Sequence, residues 1–198
     1  MMILVPGKTS LAQLESIWRG EFEVALHADM RYPVEAAASY VRAAAIGDEA
    51  VYGVNTGFGK LANVTIPADA TASLQRNLIL SHCCGVGEAL DMPTTRLMMV
   101  LKLLSLGRGA SGVSWKTVTL IMAMINRDVL PVVPVQGSVG ASGDLAPLAH
   151  MAAVLIGEGE ASHKGQVMSG GVALAAAGLA PVTFGPKEGL ALINGTQF

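Results

Sequence analysis

The stretch from Val129 to Gly157 restricts the possible folds of this chain more than any other part of the sequence. Its only formally charged residue is Asp144. A helix that crosses a membrane needs about 20 consecutive apolar residues, but prolines at positions 131, 134 and 147 and several glycines interrupt this stretch. We therefore exclude a transmembrane helix. We expect the segment to be buried, either in an oligomer or against polypeptide that this sequence does not include.

The overall composition leads to the same expectation. The chain has 198 residues, of which 52% are hydrophobic and only 14% are charged, whereas roughly 25% is usual for charged residues in a soluble domain. The net charge is −2 and no basic run occurs, so we predict neither a nucleic-acid partner nor a membrane partner.

The first residues and the cysteines favour a cytoplasmic protein. Residues 1–6 lack the basic region and the long apolar core of a signal peptide. Cys83 and Cys84 are adjacent, and a disulfide between neighbours closes a strained ring. We expect two free thiols in a reducing compartment. We predict no metal site, because only His82 lies beside them as a further ligand.

Apolar periodicity and turn residues predict a mainly helical protein with a small mixed α/β part at the front. Strands are expected at Met2–Val5 and Phe22–His27, a capping box at Ser10 and Gln13, and an extended segment at Val51–Val54. The main predicted helices are Val34–Ile46, Ala68–Cys83, Pro93–Leu106, Ser114–Arg127 and Leu145–Ile156. A turn or hairpin at Gly157–Met168 and short helices at Gly171–Ala177 and Pro186–Ile193 complete the prediction.

Residues 137–150 read Gly-Ser-Val-Gly-Ala-Ser-Gly-Asp-Leu-Ala-Pro-Leu-Ala-His and point to chemistry of the backbone itself. Because Gly143 has no Cβ, its amide nitrogen can approach the Ala141 carbonyl and close a five-membered ring. Loss of water from that ring, and a second dehydration at the Ser142 side chain, would give 4-methylidene-imidazole-5-one (MIO). This group is a strong electrophile that needs no external cofactor.

Two other interpretations of these residues are open to test. A hydrolase nucleophile elbow needs Gly-x-Ser-x-Gly, and the residue two positions after Ser142 is Asp144 rather than glycine, so a hydrolase is unfavoured. Asp144 is also suited to cap a helix that begins near Leu145, with Pro147 in its first turn. That capping role is compatible with the cyclisation chemistry.

The segment Val51–Gly59, Val-Tyr-Gly-Val-Asn-Thr-Gly-Phe-Gly, is a second candidate site. Its glycines permit tight turns that hold Tyr52 at a loop tip. Walker A requires Gly-x4-Gly-Lys-Ser/Thr, and the residue after Lys60 is a leucine, so a phosphate loop is excluded. Two further candidates are His82, within Leu-Ser-His-Cys-Cys-Gly, and Asn194, within Leu-Ile-Asn-Gly-Thr-Gln.

These four segments occur in the same order as the signature motifs of the aromatic amino acid ammonia-lyases, and the chain resembles that family along essentially its whole length. The resemblance implies the start of a long helical bundle of the fumarase/aspartase-like superfamily, behind a small mixed domain that bears the MIO group. It also implies that residues 1–198 are the N-terminal portion of a longer chain. The remaining active-site arginine, tyrosine and glutamate groups would then lie mostly outside them.

The same resemblance assigns roles to individual residues. Ala141, Ser142 and Gly143 would form MIO, Tyr52 would remove the substrate β-proton, and Asn194 would contact the substrate. Asp144 and Gly59 would support the site. Ser81-His82 resembles the histidine-specific branch, so the implied reaction is elimination of ammonia from L-histidine to give urocanate, in a homotetramer.

Two alternatives remain at the level of sequence. One is a related lyase or aminomutase acting on tyrosine or phenylalanine, which Ser81-His82 argues against. The other is a truncated, non-catalytic helical module that binds partners through an exposed apolar face. We expect the 198-residue chain by itself to be inactive, because the residues that would hold the substrate carboxylate are not in it.

Overall fold

A computed structural model describes residues 1–141 and 143–198, apart from the side chain of Ala68. The front of the chain is a small mixed unit. Strands β1 (Met2–Leu4) and β2 (Val24–Leu26) pair in parallel, with helix α1 (Leu11–Trp18) between them. The capping box predicted at the start of α1 is present: the Ser10 side chain accepts from the Gln13 amide, and the Gln13 side chain accepts from the Ser10 amide.

Helices form most of the rest. They are α2 (Arg31–Ala45), α3 (Thr71–His82), α4 (Met92–Gly107), α5 (Trp115–Asn126), α6 (Ala146–Leu155), α7 (Gly170–Ala176) and α8 (Glu188–Ile193). Short 3₁₀ turns precede α2 and α3. The helical prediction is confirmed to within a few residues at each end.

Helix α6 lies at the centre of the core, in contact with α3, α5, α7 and α8. Every residue of α6 except His150 is buried, and a helix that is apolar all round belongs in the interior. The expected burial of the charge-poor stretch is thus confirmed for α6. Elements of this chain itself cover α6, whereas Val135 and Val139 of the same stretch are 42% and 78% exposed, so burial of these residues in an oligomer or against further polypeptide stays a prediction.

Two small antiparallel sheets flank the helices. Strand β3 (Val86–Ala89) pairs with β5 (Pro134–Gln136), and β4 (Val129–Pro131) pairs with β6 (Glu160–His163), which pairs in turn with β7 (Gln166–Ser169). Strands β6 and β7 form the predicted hairpin. The β3–β5 pair is the part that matters for the site, because β5 leads directly into the loop at residues 137–145.

Candidate active site

The loop between β5 and α6 folds around one carboxylate. Asp144, which is 9% exposed, accepts hydrogen bonds from the Ser138 hydroxyl and from the Val139 amide, the latter at 3.0 Å. The Gly140 amide donates to the Ser138 hydroxyl oxygen at 3.1 Å. The predicted helix cap is therefore wrong. Helix α6 has Leu145 at its N-cap without a side-chain hydrogen bond, because the Asp144 carboxylate is used inside the loop.

The predicted cyclising tripeptide is described on both sides of its serine. Ser142 itself lies outside the described residues, so its part of the prediction stays a prediction. Gly143 has φ +83°, in the left-handed region that favours glycine, and a Cβ built on it would meet nothing within 4 Å. Ala141 is exposed. The backbone thus has the glycine-dependent turn that the sequence predicts at Gly143.

A pocket of about 200 Å³ lies between this loop and the residues after α8. It is lined by Ser138, Gly140, Ala141, Asp144, Gly195, Thr196 and Phe198. Asn194 ends α8 with extended backbone angles, φ −89° and ψ 122°, so the chain leaves the helix there and runs to the pocket. The structure therefore brings together two of the predicted segments, which are about fifty residues apart in sequence.

Tyr52 lies in a tight turn, so the predicted extended segment at Val51–Val54 is wrong. The Val54 and Asn55 amides both donate to the Val51 carbonyl, at 3.0 and 3.2 Å. The buried Asn55 side chain stabilises the turn: its Oδ1 accepts from the Val51 amide at 2.7 Å and its Nδ2 donates to the Glu49 carbonyl at 2.8 Å. The apolar and aromatic residues favoured a strand, and this buried amide overrides them.

The turn presents Tyr52 to solvent, as predicted for a loop tip. Its side chain is 57% exposed and its ring meets the Phe58 ring edge-on, with centroids 6.0 Å apart. Gly53 has φ +70°, and a Cβ there would lie 2.9 Å from a Leu190 methyl group. The turn therefore lies directly on α8, the helix that carries Asn194. Gly59 also has positive φ, at +58°, with open space around it.

His82 is the last residue of α3. Its Nδ1 is 2.7 Å from the Leu78 carbonyl oxygen, and because a carbonyl only accepts, Nδ1 must carry the hydrogen. In the neutral ring Nε2 is then an acceptor. Ser81 also donates to the Leu78 carbonyl, at 3.0 Å. Among the residues that the structure describes, none of His82, Tyr52 and Asn194 lines the pocket beside Ala141.

His150 links the His82 segment to the loop, a contact that sequence reasoning missed. Its Nε2 accepts from the Gly85 amide at 3.1 Å, and burial lowers the pKa of His150 below its usual 6.5. The same backbone lies against the loop, since a Cβ on Gly137 would be 3.0 Å from the Gly85 Cα. The one available signal was a polar residue in an otherwise apolar helix.

Lys102 was also missed, although it is a lone charge within the apolar run of α4. It is 1% exposed, and its Nζ donates to the Asn194 carbonyl at 2.8 Å. Burial, and secondarily the nearby Lys187 charge, lower the pKa of Lys102 from 10.5 to about 8.

The two cysteines are free thiols. Cys83 donates to the Ile79 carbonyl at 3.3 Å. Burial, with a smaller effect of Cys84, raises the pKa of the Cys83 thiol to about 11, so this thiol is a poor nucleophile at neutral pH. In the part of the chain that is described, no three His, Cys, Asp or Glu side chains come together as metal ligands.

The chain belongs to the aromatic amino acid lyase family, whose sequence pattern it matches over residues 9–198. It is similar to curated histidine ammonia-lyases, with 64% identity to that of Roseobacter denitrificans and 61% to that of Bradyrhizobium diazoefficiens. Each alignment covers 197 residues, all of this chain but 38% of the relative. The chain therefore spans well under half the length of these relatives.

Solved structures of related enzymes have the same fold as this chain. The Pantoea agglomerans phenylalanine aminomutase superposes with a TM-score of 0.91 at 34% identity, covering 100% of this chain and 38% of the other. The histidine ammonia-lyase of Trypanosoma cruzi superposes with a TM-score of 0.88 at 32% identity, with the same coverage. The helix-rich ammonia-lyase and aminomutase fold predicted from the sequence is thus confirmed. Among the described residues, none of the helices combines the length and hydropathy required to cross a bilayer.

Proposed function

We propose that the protein to which this chain belongs is a histidine ammonia-lyase, which converts L-histidine to urocanate and ammonia. The observation that carries the proposal is the pocket between the loop at 138–144 and the residues that follow Asn194. Its lining includes Ala141, the first residue of the Ala-Ser-Gly sequence, and Gly195 and Thr196, which follow Asn194. The identity to curated histidine ammonia-lyases, 64% and 61%, supports histidine over other substrates.

The residues around position 142 fit an MIO group. Gly143 has a left-handed backbone conformation and no side chain that would hinder its amide nitrogen, and Asp144 holds the preceding part of the loop through Ser138 and Val139. When formed, MIO supplies an electrophile to the pocket without an external cofactor.

The remaining groups of this chain would bind the substrate and move its proton. His82 would accept a hydrogen bond from the substrate imidazole N–H through Nε2, since its Nδ1–H is used by Leu78. Tyr52 would take the β-proton as general base, from a turn whose tip is open to solvent. Asn194 would contact the substrate from the end of α8. Ammonia then leaves as the carbon–carbon double bond of urocanate forms.

The first experiment is mass spectrometry of the whole protein. The peptide that contains residues 141–143 should be lighter by two waters, and Ser142→Ala should abolish both that loss and the formation of urocanate, which is followed by its ultraviolet absorbance. Full activity with an unmodified tripeptide would overturn the mechanism. An unmodified tripeptide in an inactive, stable monomer would favour the non-catalytic helical module.

Substrate choice is tested at Ser81-His82. A site that hydrogen-bonds its substrate rejects an analogue without that group strongly, whereas apolar pockets discriminate by only ~1–3 kcal/mol. Replacing the pair by two leucines in the whole protein should therefore reduce activity on histidine far more than activity on phenylalanine. Equal losses on both would mean that His82 only supports the fold. Higher activity of the unmodified protein on tyrosine or phenylalanine would favour the related lyases and aminomutases.

Assembly and location complete the proposal. We propose a cytoplasmic homotetramer, as the family resemblance implies, and the side chains of Tyr32 and Tyr40 on α2, which are 81% and 78% exposed, are candidates for contacts between its subunits. We expect the 198-residue chain alone to form no urocanate, because catalysis depends on holding the substrate to within about 1 Å, and this chain spans 38% of the relatives' length.

A further inference from the structure

The short helix α8 is held by buried polar side chains rather than by its own helical stability. It has six residues, far fewer than the ~12–15 that even a good helical sequence needs by itself. Gln75 from α3 accepts from the Gly189 amide at 2.9 Å, and Lys102 from α4 donates to the Asn194 carbonyl at 2.8 Å. Both side chains are at most 1% exposed.

The first turn of α8 is fixed in the same way. Glu188, which is 5% exposed, accepts from the Ser114 amide at 2.7 Å, the Thr117 hydroxyl at 2.8 Å and the Gly185 amide at 2.8 Å. Three donors satisfy this carboxylate where it is buried. Residues from α3, α4 and the start of α5 therefore fix both ends of α8.

Lys102 is the unusual member of this set. The Glu188 carboxylate is satisfied elsewhere, so the partner that the structure gives Lys102 is a neutral carbonyl. A buried ammonium without a carboxylate is costly, and a methionine would fill the same space in an apolar helix at low cost. The stability of α4 and of the core does not account for a lysine here. Its hydrogen bond to the carbonyl of Asn194, where the chain turns from α8 toward the pocket, does account for it.

We propose that Lys102 is a positioning residue for the active site. Its hydrogen bond fixes the carbonyl of Asn194 and thereby the direction in which the chain continues to Gly195 and Thr196, which line the pocket beside Ala141. This inference rests on the proposed function, since it concerns how the same site presents Asn194 to the substrate. Lys102 would act through the backbone of Asn194 rather than through contact with the substrate.

The test compares Lys102→Met and Lys102→Arg in the whole protein, with the exposed Lys116→Met on α5 as the matched control. We measure kcat and KM for histidine, the thermal midpoint, and the mass of the 141–143 peptide. Because a displacement of about 1 Å can cost a hundredfold in rate, Lys102→Met should lower kcat by roughly a hundredfold with a smaller change in KM. It should not lower the thermal midpoint, because it removes a buried charge, and it should leave the loss of two waters unchanged.

The arginine variant distinguishes a positioning role of Lys102 from a purely structural one. Lys102→Arg keeps a charged donor, so its kcat should be at least tenfold higher than that of Lys102→Met. The kcat of Lys116→Met should match that of the unmodified protein. A Lys102→Met variant with kcat within threefold of the unmodified protein would overturn the inference, and so would a variant that fails to fold or an arginine variant no better than methionine. If the unmodified protein forms no urocanate or keeps its two waters, the proposed function fails instead.

Discussion

Burying the Lys102 ammonium should make the stability of this chain rise with pH in a range where most proteins lose stability. Its pKa falls from 10.5 to about 8 on folding, chiefly through desolvation. Below pH 8 the folded state must hold a charge that the unfolded state holds more easily. At ~1.4 kcal/mol per pH unit, this difference lowers the free energy of unfolding by about 3 kcal/mol at pH 7. The penalty is relieved as the pH rises from 8 to 10.5.

The Lys102→Met variant isolates this effect. We would measure the free energy of unfolding of the 198-residue chain and of the variant in urea, by circular dichroism, at pH 7.5 and pH 10.5. The unmodified chain should gain about 3 kcal/mol relative to the variant between the two pH values. Cys83 acts in the opposite direction, since burial raises its thiol pKa to about 11, but it is present in both proteins and cancels. A constant difference between the proteins would refute the burial of a charged Lys102.

Two further predictions follow from the geometry. His150→Gln keeps an acceptor for the Gly85 amide but cannot titrate. Because burial lowers the pKa of His150, the unmodified chain should lose stability below about pH 6.5 that the variant retains, and identical acid unfolding profiles would contradict this. Gly109→Ala should destabilise by about 1–3 kcal/mol more than Gly7→Ala. Both have positive φ, +72° and +79°, but only the Gly109 Cβ would meet Pro33, at 2.6 Å; equal unfolding midpoints would disprove the clash.

Features set by neighbouring residues were predictable from the sequence. The Ser10–Gln13 capping box depends on two residues three apart, and Ser114 caps α5 by the same local rule. The β3–β5 pair was missed for the opposite reason. Val86–Ala89 and Pro134–Gln136 are short and largely exposed, so neither shows an alternating pattern, and their pairing depends on tertiary contacts.

The candidate site also contains features that were predictable from neighbouring residues and features that were not. The left-handed turn at Gly143 and the exposed position of Tyr52 follow from local residue types. The prediction that Asp144 caps a helix was wrong because its carboxylate can accept hydrogen bonds either from a helix start or from the loop. In the structure it accepts from the loop. Lys102 and His150 act on backbone groups 92 and 65 residues away, and no local pattern marks such partners.

The polar contacts of α8 also set the order in which this part of the molecule can form. They join residues separated by 114, 92 and 71 positions in the chain, and contacts of such long range form late in folding. During synthesis, at about 5–20 residues per second, α3, α4 and α5 are complete several seconds before residue 194 is made. The position of Asn194 relative to the loop that precedes α6 is therefore set late in folding, after α3, α4 and α5 have formed.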